Sequence, residues 1–297
     1  MKIVIAGGTG FIGNELVPHF EKLNHEVLVL GRTKIDKPNY HQWDGKTLGE
    51  WKYELKGTDV LINLTGKSVD CRYTEKNKKE IFDSRTNSIE VLEKAFNEIN
   101  ETPKSWIQAS TATIYRDEYE SPNDEENGIV GEGFSVQVAT KWEDTFEKVE
   151  LITKKVTLRM AIVLGSSGGA FPALRRMAKF GLGGKQGKGN QMISWIHIAD
   201  LIKIIDLAIH NQWVNGVINC AGPEPVSNMS FMKQLRTLIK QPIAIPTPAW
   251  LLKTGAKMIG TETELILKSR WVVSKKLDSF GYKFQFPTFN SALENLK

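Results

Sequence analysis

Cysteine is nearly absent. The 297 residues hold two, Cys71 and Cys220, far apart and outside any paired motif. That excludes a disulfide framework and a cysteine metal site, and it fits a reduced compartment. No metal centre is expected. Long apolar runs are missing too: none approaches the roughly 18 residues of a membrane span. The strand-like "KIVIAG" begins at residue 2, which leaves no room for a signal peptide of the usual form. The cytoplasm is the expected compartment, with no membrane partner. Charge of one sign is not concentrated either. Lysine and arginine number 39 against 34 acids, and the two signs are interspersed. A nucleic-acid footprint is therefore not read. The densest run, "KNKKE" at 76–80, reads as a solvated helix face. Repeats and low-complexity tracts are absent.

What is present is alternation. "KIVIAG" (2–7), "EVLVLG" (26–31), "DVLINLTG" (59–66), "SWIQAST" (105–111) and "VTLRMAIVLG" (156–165) read as buried strands. Helical patterns separate them, including "FIGNELVPHFEKLN" and the long segment "EKNKKEIFDSRTNSIEVLEKAFNEI". Apolar strands alternating with helices predict a parallel sheet covered on both faces, the α/β doubly wound Rossmann class. Further on, "ISWIHIADLIKIIDLAIHN" reads as strand then helix, with Asp200 at the helix start, and "GVINCAG" (216–222) as another strand. "MSFMKQLRTLIKQ" is amphipathic, with Asn228 or Ser230 as its N-cap. The expected division is a nucleotide-binding domain over 1–225 and a small C-terminal lobe over 226–297. The glycine-rich stretch 165–191 would be inserted toward the cleft between them.

"AGGTGFIG" (6–13) follows the first strand and opens the first helix, with Gly7, Gly10 and Gly13 spaced G-x-x-G-x-x-G. Those glycines suit a tight turn, close approach to a pyrophosphate, and helix–strand packing. Phe11 and Ile12 begin the helix whose N-terminal amides would face the phosphates. After the second strand comes "LGRTK", with Arg32 and Thr33 where an NAD-binding protein would place an acid. An arginine there accommodates a 2′-phosphate, so NADP is the expected cofactor. "NLTG" at 63–66 either passes beneath the adenine ribose through Leu64 and Thr65 or simply ends its strand; the tetrapeptide leaves both open.

"GGTGFIG", "NLTGKSV", "QASTATIY" and "WIHIADL" together resemble the extended short-chain dehydrogenases, the NAD(P)-dependent epimerase/dehydratase superfamily. "DSRTNS", "LRMAIVLGSSGGAF", "GLGGKQGKGNQMISWIHIADL", "PEPVSN" and the C-terminal "KKLDSFGYKFQFPTFNSALENL" are similar to one subgroup. Its members are poorly characterised epimerase-family proteins with their own small C-terminal domain. The resemblance implies that Arg32, Leu64, Thr65, Glu80 and Arg85 bind NADP, with backbone near Ile162 approaching the nicotinamide. It also implies that Thr111 orients substrate, Tyr115 being the motif tyrosine. At helical spacing, Glu80 and Arg85 are equally readable as ion-paired or solvated side chains.

One departure stands out. The superfamily moves its proton with a Tyr-x-x-x-Lys pair, the lysine lowering the tyrosine pKa. The corresponding helix here reads "GFSVQVATKWE", and anchoring on Glu143 puts Ser135 at the tyrosine position and Ala139 at the lysine position. Gln137 and Lys141 have the spacing but lie two residues on, about 200° around the helix. They fall at the polar edge of a stripe formed by Phe134, Val138, Trp142 and Phe146. Tyrosine-assisted hydride transfer is therefore not implied.

Other groups stay open as replacements. Thr111 is the candidate catalytic residue. His197 is either a titrating group or a structural one, and Cys71 and Tyr73 are either near substrate or in a loop. The run "DEYESPNDEEN" (117–127) reads as a solvated loop or a lid. "GLGGKQGKGNQ" reads as a mobile closing segment offering Lys185, Lys188 and Gln191, or as a connector. The expected function is an NADP(H)-dependent, epimerase/dehydratase-like oxidoreductase acting on a small molecule. The alternative is an NADPH-binding regulatory or sensor protein without turnover.

Overall fold

Strand β1 (Lys2–Ala6) is apolar along four consecutive residues because both of its faces are covered. Ile3 and Ile5 pack on one side of the sheet, Val4 and Ala6 on the other. Such a run marks a central strand of a parallel sheet. Its neighbours are β2 (Glu26–Gly31) and β4 (Val60–Asn63), with Ile3 opposite Val27 and Val60. A computed structural model describes residues 1–252 and 264–297; residues 253–263, part of the expected C-terminal lobe, lie outside the described residues.

The main sheet has seven parallel strands in the order β10-β6-β5-β4-β1-β2-β3. The others are β3 (Tyr40–Gln42), β5 (Ser105–Thr111), β6 (Lys154–Met160) and β10 (Gly216–Cys220). The order reverses between β1 and β4, and ligands of doubly wound sheets lie in the crevice at that point. Helices α1 (Phe11–Lys22) and α5 (Ile198–His210) cover one face, α2 (Glu75–Ile99) and α3 (Phe134–Glu147) the other. A further apolar cluster joins Leu164, Phe171 and Trp195 to Phe231, Leu235, Phe289 and Leu293, drawing on both the glycine-rich region and the C-terminal segment. Among the described residues no helix is long and apolar enough to cross a membrane.

Four local expectations are corrected. The run 156–165 is two strands: β6 stays in the main sheet, and β7 (Ile162–Leu164) leaves it to pair with β9 (Trp195–His197). Asp200 does not cap α5. His197 does, its Nδ1 accepting from the Ala199 N–H at 3.1 Å. The Asp200 carboxylate instead accepts from the Gln285 and Phe286 amides and the Tyr282 hydroxyl. Helix α6 (Asn228–Leu238) is capped by Ser227 rather than Asn228 or Ser230, because the Asn228 side chain is engaged with Gln186. The acidic run 117–127 is not a solvated loop. Asp117 accepts from the Ser269 amide, Asp124 pairs with Lys275 at 2.8 Å, and Glu125 accepts from the Asn219 and Lys275 amides and the Ser274 hydroxyl. It laces the C-terminal segment to the sheet.

Candidate nucleotide and substrate site

The nucleotide cleft is built from backbone. Gly7 has φ +76° and lies against the turn after β4, where a Cβ would sit 3.0 Å from the Leu64 carbonyl carbon and the Thr65 nitrogen. Only a glycine holds that conformation at that distance without strain. The Cβ position of Gly13 is 2.4 Å from the Gly8 Cα, so α1 presses directly on the loop before it. Gly10 caps α1 without a side-chain hydrogen bond, which leaves the first amides of the helix for a ligand. Ile12 is half-buried against the core, and the Phe11 ring is wrapped by the glycine turn at 165–169.

The turn carrying Leu64 and Thr65 is held by Asn63. Its Oδ1 accepts from the Thr65 amide at 3.1 Å, and its Nδ2 donates to Ser88 and Gln108 in the sheet interior. The Thr65 hydroxyl oxygen is buried with no hydrogen-bond partner among the described residues. A buried hydroxyl without a partner is costly, and one facing a ligand cleft is readily satisfied by that ligand. Arg32 and Thr33 are exposed at the end of β2, and Arg32 borders a depression lined by Gln42, Trp43, Asp44 and Trp51. The carboxylate of Asp44 is turned onto the amides of Lys46 and Thr47. Among the described residues no carboxylate forms an ion pair with Arg32. Glycine cradle, orphaned hydroxyl and free arginine fit a phosphorylated dinucleotide.

The two α2 residues sit behind this wall. Arg85 is 9% exposed and lies flat beneath Gly66, its Nη1 donating to the Lys67 and Ile81 carbonyls. Its guanidinium stacks on Trp142 at 4.8 Å, and burial pulls its pKa down to about 10. Glu80 forms an ion pair with Lys67. Both act on the shape of the 66–67 turn. Ile162 is half-buried, with its N–H committed to the Ser194 carbonyl at 3.2 Å.

Thr111 ends β5 and caps the following 3-10 turn, its Oγ1 accepting from the Thr113 amide at 3.2 Å. Tyr115 is buried. Its hydroxyl donates to Asn219 at 2.9 Å and accepts from Arg159 at 2.8 Å, while burial raises its pKa. Arg159 in turn is doubly bonded to Glu143, which also accepts from the Ser110 hydroxyl. This chain is a closed structural network. His197 is buried against Phe286, and burial lowers its pKa, so it stays neutral near pH 7.

On α3, Val138, Trp142 and Phe146 are buried and Phe134 half-buried, with Ser135 and Ala139 buried beside them. Gln137 and Lys141 are exposed. The lysine position has been filled: Ala139 packs with Ala112, Tyr115, Ala221 and Val272. The tyrosine position has gained a distant partner. Ser135 donates to Glu264 at 2.6 Å, and Lys268 reaches the same carboxylate at 2.7 Å. Burial alone would raise the Glu264 pKa, but Lys268 and Ser135 outweigh it and hold it below the ordinary carboxylate range. Tyr73 packs against Phe134 with ring centroids 4.5 Å apart and planes tilted by 59°, while Cys71 contacts the Ser68 carbonyl in the preceding loop.

The glycine-rich segment is tied down. Gly184 and Gly187 donate to Ile245 and Thr247, and the Gln191 amide is consumed by Gln186, Gly189 and Ile266. Gln191 offers nothing to a ligand; Lys185 and Lys188 are exposed. Sequence reasoning did not find Glu264 or Arg270. Glu264 and Lys268 do stand four apart, the spacing of a helical ion pair. Arg270 interrupts the strand-like "SRWVV".

Residues 3–133 match the NAD dependent epimerase/dehydratase family, and residues 247–296 match a domain of unknown function, DUF1731. An epimerase family protein of Bacillus subtilis, YfhF, is 33% identical over all of this chain and 98% of its own length. The chain belongs to this family. The crystal structure of the human epimerase family protein SDR39U1, solved with NADPH, superposes with a TM-score of 0.88 at 28% identity, covering 100% of this chain and 99% of that one. A nucleoside-diphosphate sugar epimerase from Corynebacterium glutamicum gives 0.80 at 26% identity, this chain spanning 57% of its length. The family's fold and its C-terminal domain are thus both present.

Proposed function

We propose that this chain binds NADP(H) in the β1–α1–β4 crevice and acts as an epimerase/dehydratase-like oxidoreductase on a small molecule. The observation that carries this is the cradle itself: the glycine turn against Leu64–Thr65, the orphaned Thr65 hydroxyl, and Arg32 beside an acid that is already engaged. The human relative crystallised with NADPH supports the choice of cofactor. When bound, the cofactor supplies hydride chemistry. The protein's own part is to bind, orient and handle a proton without a Tyr-x-x-x-Lys pair. At the tyrosine position Ser135 donates its hydroxyl to Glu264, whose carboxylate is held ionised and is therefore a weak base.

Titration of the purified protein with NADPH and NADH, read by fluorescence, tests the reading. NADPH should bind more tightly. Arg32→Ala should weaken NADPH about ten- to a hundredfold, the scale of a lost charge-assisted contact, and leave NADH unchanged. Equal weakening of both would refute the assignment. The second reading, an NADPH sensor without turnover, is favoured by the apolar filling of the lysine position at Ala139. Loss of NADPH absorbance on adding a substrate separates the two, and Thr111→Val should abolish that loss if the protein is an enzyme.

A further inference from the structure

Arg270 lies in an extended stretch beside β8 (Met192–Ile193), its backbone N–H donating to Met192 at 2.7 Å and its carbonyl accepting from Ser194 at 2.9 Å. Residues two apart in an extended chain leave the same face. Val272 packs on Ala112 and Ala139, so Arg270 heads toward the side of α3 that carries Ser135. Burial disfavours the charge on its guanidinium, and Glu264, Asp117 and Tyr73 act on it electrostatically in the opposite sense. Arg270 is 9% exposed, yet Nε, Nη1 and Nη2 all lack a hydrogen-bond partner among the described residues.

That combination needs a cause. A guanidinium carries five N–H donors and stays charged. Burying it without partners destabilises the fold, so it is not there for stability. The nearby carboxylates do not satisfy it, because each has partners of its own. Glu264 accepts from Ser135 and Lys268, and Asp117 from the Ser269 amide. They offset the charge at a distance without filling the fork. A planar fork of donors is the match for a bidentate oxyanion.

We propose that Arg270 anchors an acidic group of the substrate, a carboxylate or a phosphate, between Ser135 on α3 and the C-terminal segment. The substrate class is then a small organic acid or phosphate ester. Its body would lie along the wall made by Tyr73 and Phe134, within reach of the Ser135–Glu264 pair. The inference rests on reading this region as the substrate site beside bound NADP(H), and its test is arranged to fail separately from that reading.

The full chain, saturated with NADPH, is titrated calorimetrically with inorganic phosphate and, separately, with malonate. Wild-type protein should bind at least one of them, and which one identifies the acid. Arg270→Gln should weaken that binding tenfold or more, while Arg270→Lys, keeping the charge but losing the fork, should fall between. NADPH affinity should be the same in all three. The ligand-free Arg270→Met protein should melt no lower than wild type, since it removes an unpaired buried charge. Failure of wild type to bind either anion, equal binding by Arg270→Gln, or a clear fall in the melting temperature of Arg270→Met would overturn the proposal. The last outcome would make the guanidinium a structural group. If wild type bound no NADPH, the proposed function would fall, and the same anion titrations on free protein would still decide Arg270.

Discussion

The two halves of the cleft are made differently. On the nucleotide side, the glycine cradle comes from the first 65 residues, and its tightest contacts are between backbones: Gly7 against Leu64–Thr65, Gly13 against Gly8. On the substrate side, the contacts are between side chains far apart in sequence: Ser135 with Glu264, Ala139 with Val272, Arg270 beside Asp117. A backbone cradle needs glycines at fixed local positions, and almost any substitution breaks it. A side-chain site can be rebuilt by residues from another element. The family's glycine loop is kept here, while the Tyr-x-x-x-Lys positions hold Ser135 and Ala139, which meet the C-terminal segment.

Breaking the nucleotide side should be the most damaging change. Gly13→Ala would place a methyl 2.4 Å from the Gly8 Cα, where backbone must move. It should cost about 3 kcal/mol or more in a urea unfolding curve and abolish NADPH binding. Next is the network behind the substrate side. Arg159→Met leaves half-buried Glu143 without its ion pair and should lower stability by about 2 kcal/mol, with NADPH affinity in the surviving protein unchanged.

Restoring the missing pair sharpens the comparison further. The double change Ser135→Tyr and Ala139→Lys should yield no dehydrogenase activity, because position 139 lies fully buried in an apolar cluster with Ala112 and Val272 that offers a lysine no partner. It should also destabilise by about 1–3 kcal/mol, as overpacking and a buried charge do. The lacing between the halves has a pH signature. Burial opposes ionisation of Asp124, but Lys275 and the Asn127 and Glu126 amides outweigh it and hold its pKa at about 2, against an ordinary 3.8. A depressed carboxylate stabilises the fold above its unfolded pKa, and that contribution is lost as pH falls from near 4 toward 2. The half-exposed Lys275 is screened by solvent, so the loss should be about 1 kcal/mol, and Asp124→Asn should remove that part of the pH dependence. The smallest effect belongs to Lys141→Ala. The exposed lysine should change stability by less than about 0.5 kcal/mol and leave NADPH binding intact.

Legibility followed the same division. The strands around β1, the glycine turn and helices α1 and α2 were readable because apolar runs and glycine spacing act through neighbouring backbone. The polarity of α3 was readable too: periodicity put Ser135 and Ala139 beside the apolar stripe, where they are buried, and Gln137 and Lys141 at its polar edge, where they are exposed. Single-residue roles slipped where a polar side chain had a choice of partners. Asp200 stood at a helix start but was drawn to the Gln285 and Phe286 amides, and His197 took the cap. The acids of 117–127 looked solvated because the amides they bind lie about 150 residues away. The break at Ala161 was hidden because both of its halves are strand-like, and only the position of β9 draws the second half out of the sheet.

By itself, then, the order of residues determined the α/β architecture, the dinucleotide cradle with its arginine, and the absence of a tyrosine and lysine from α3. These rest on local conformation and on which faces are apolar. Tertiary structure decided what stands around those positions: a carboxylate brought to Ser135, a valine clustered with Ala139, and an arginine buried without a hydrogen-bond partner among the described residues. A side chain's chemistry depends on the charges and donors within a few ångströms of it, and folding brings those from any distance along the chain.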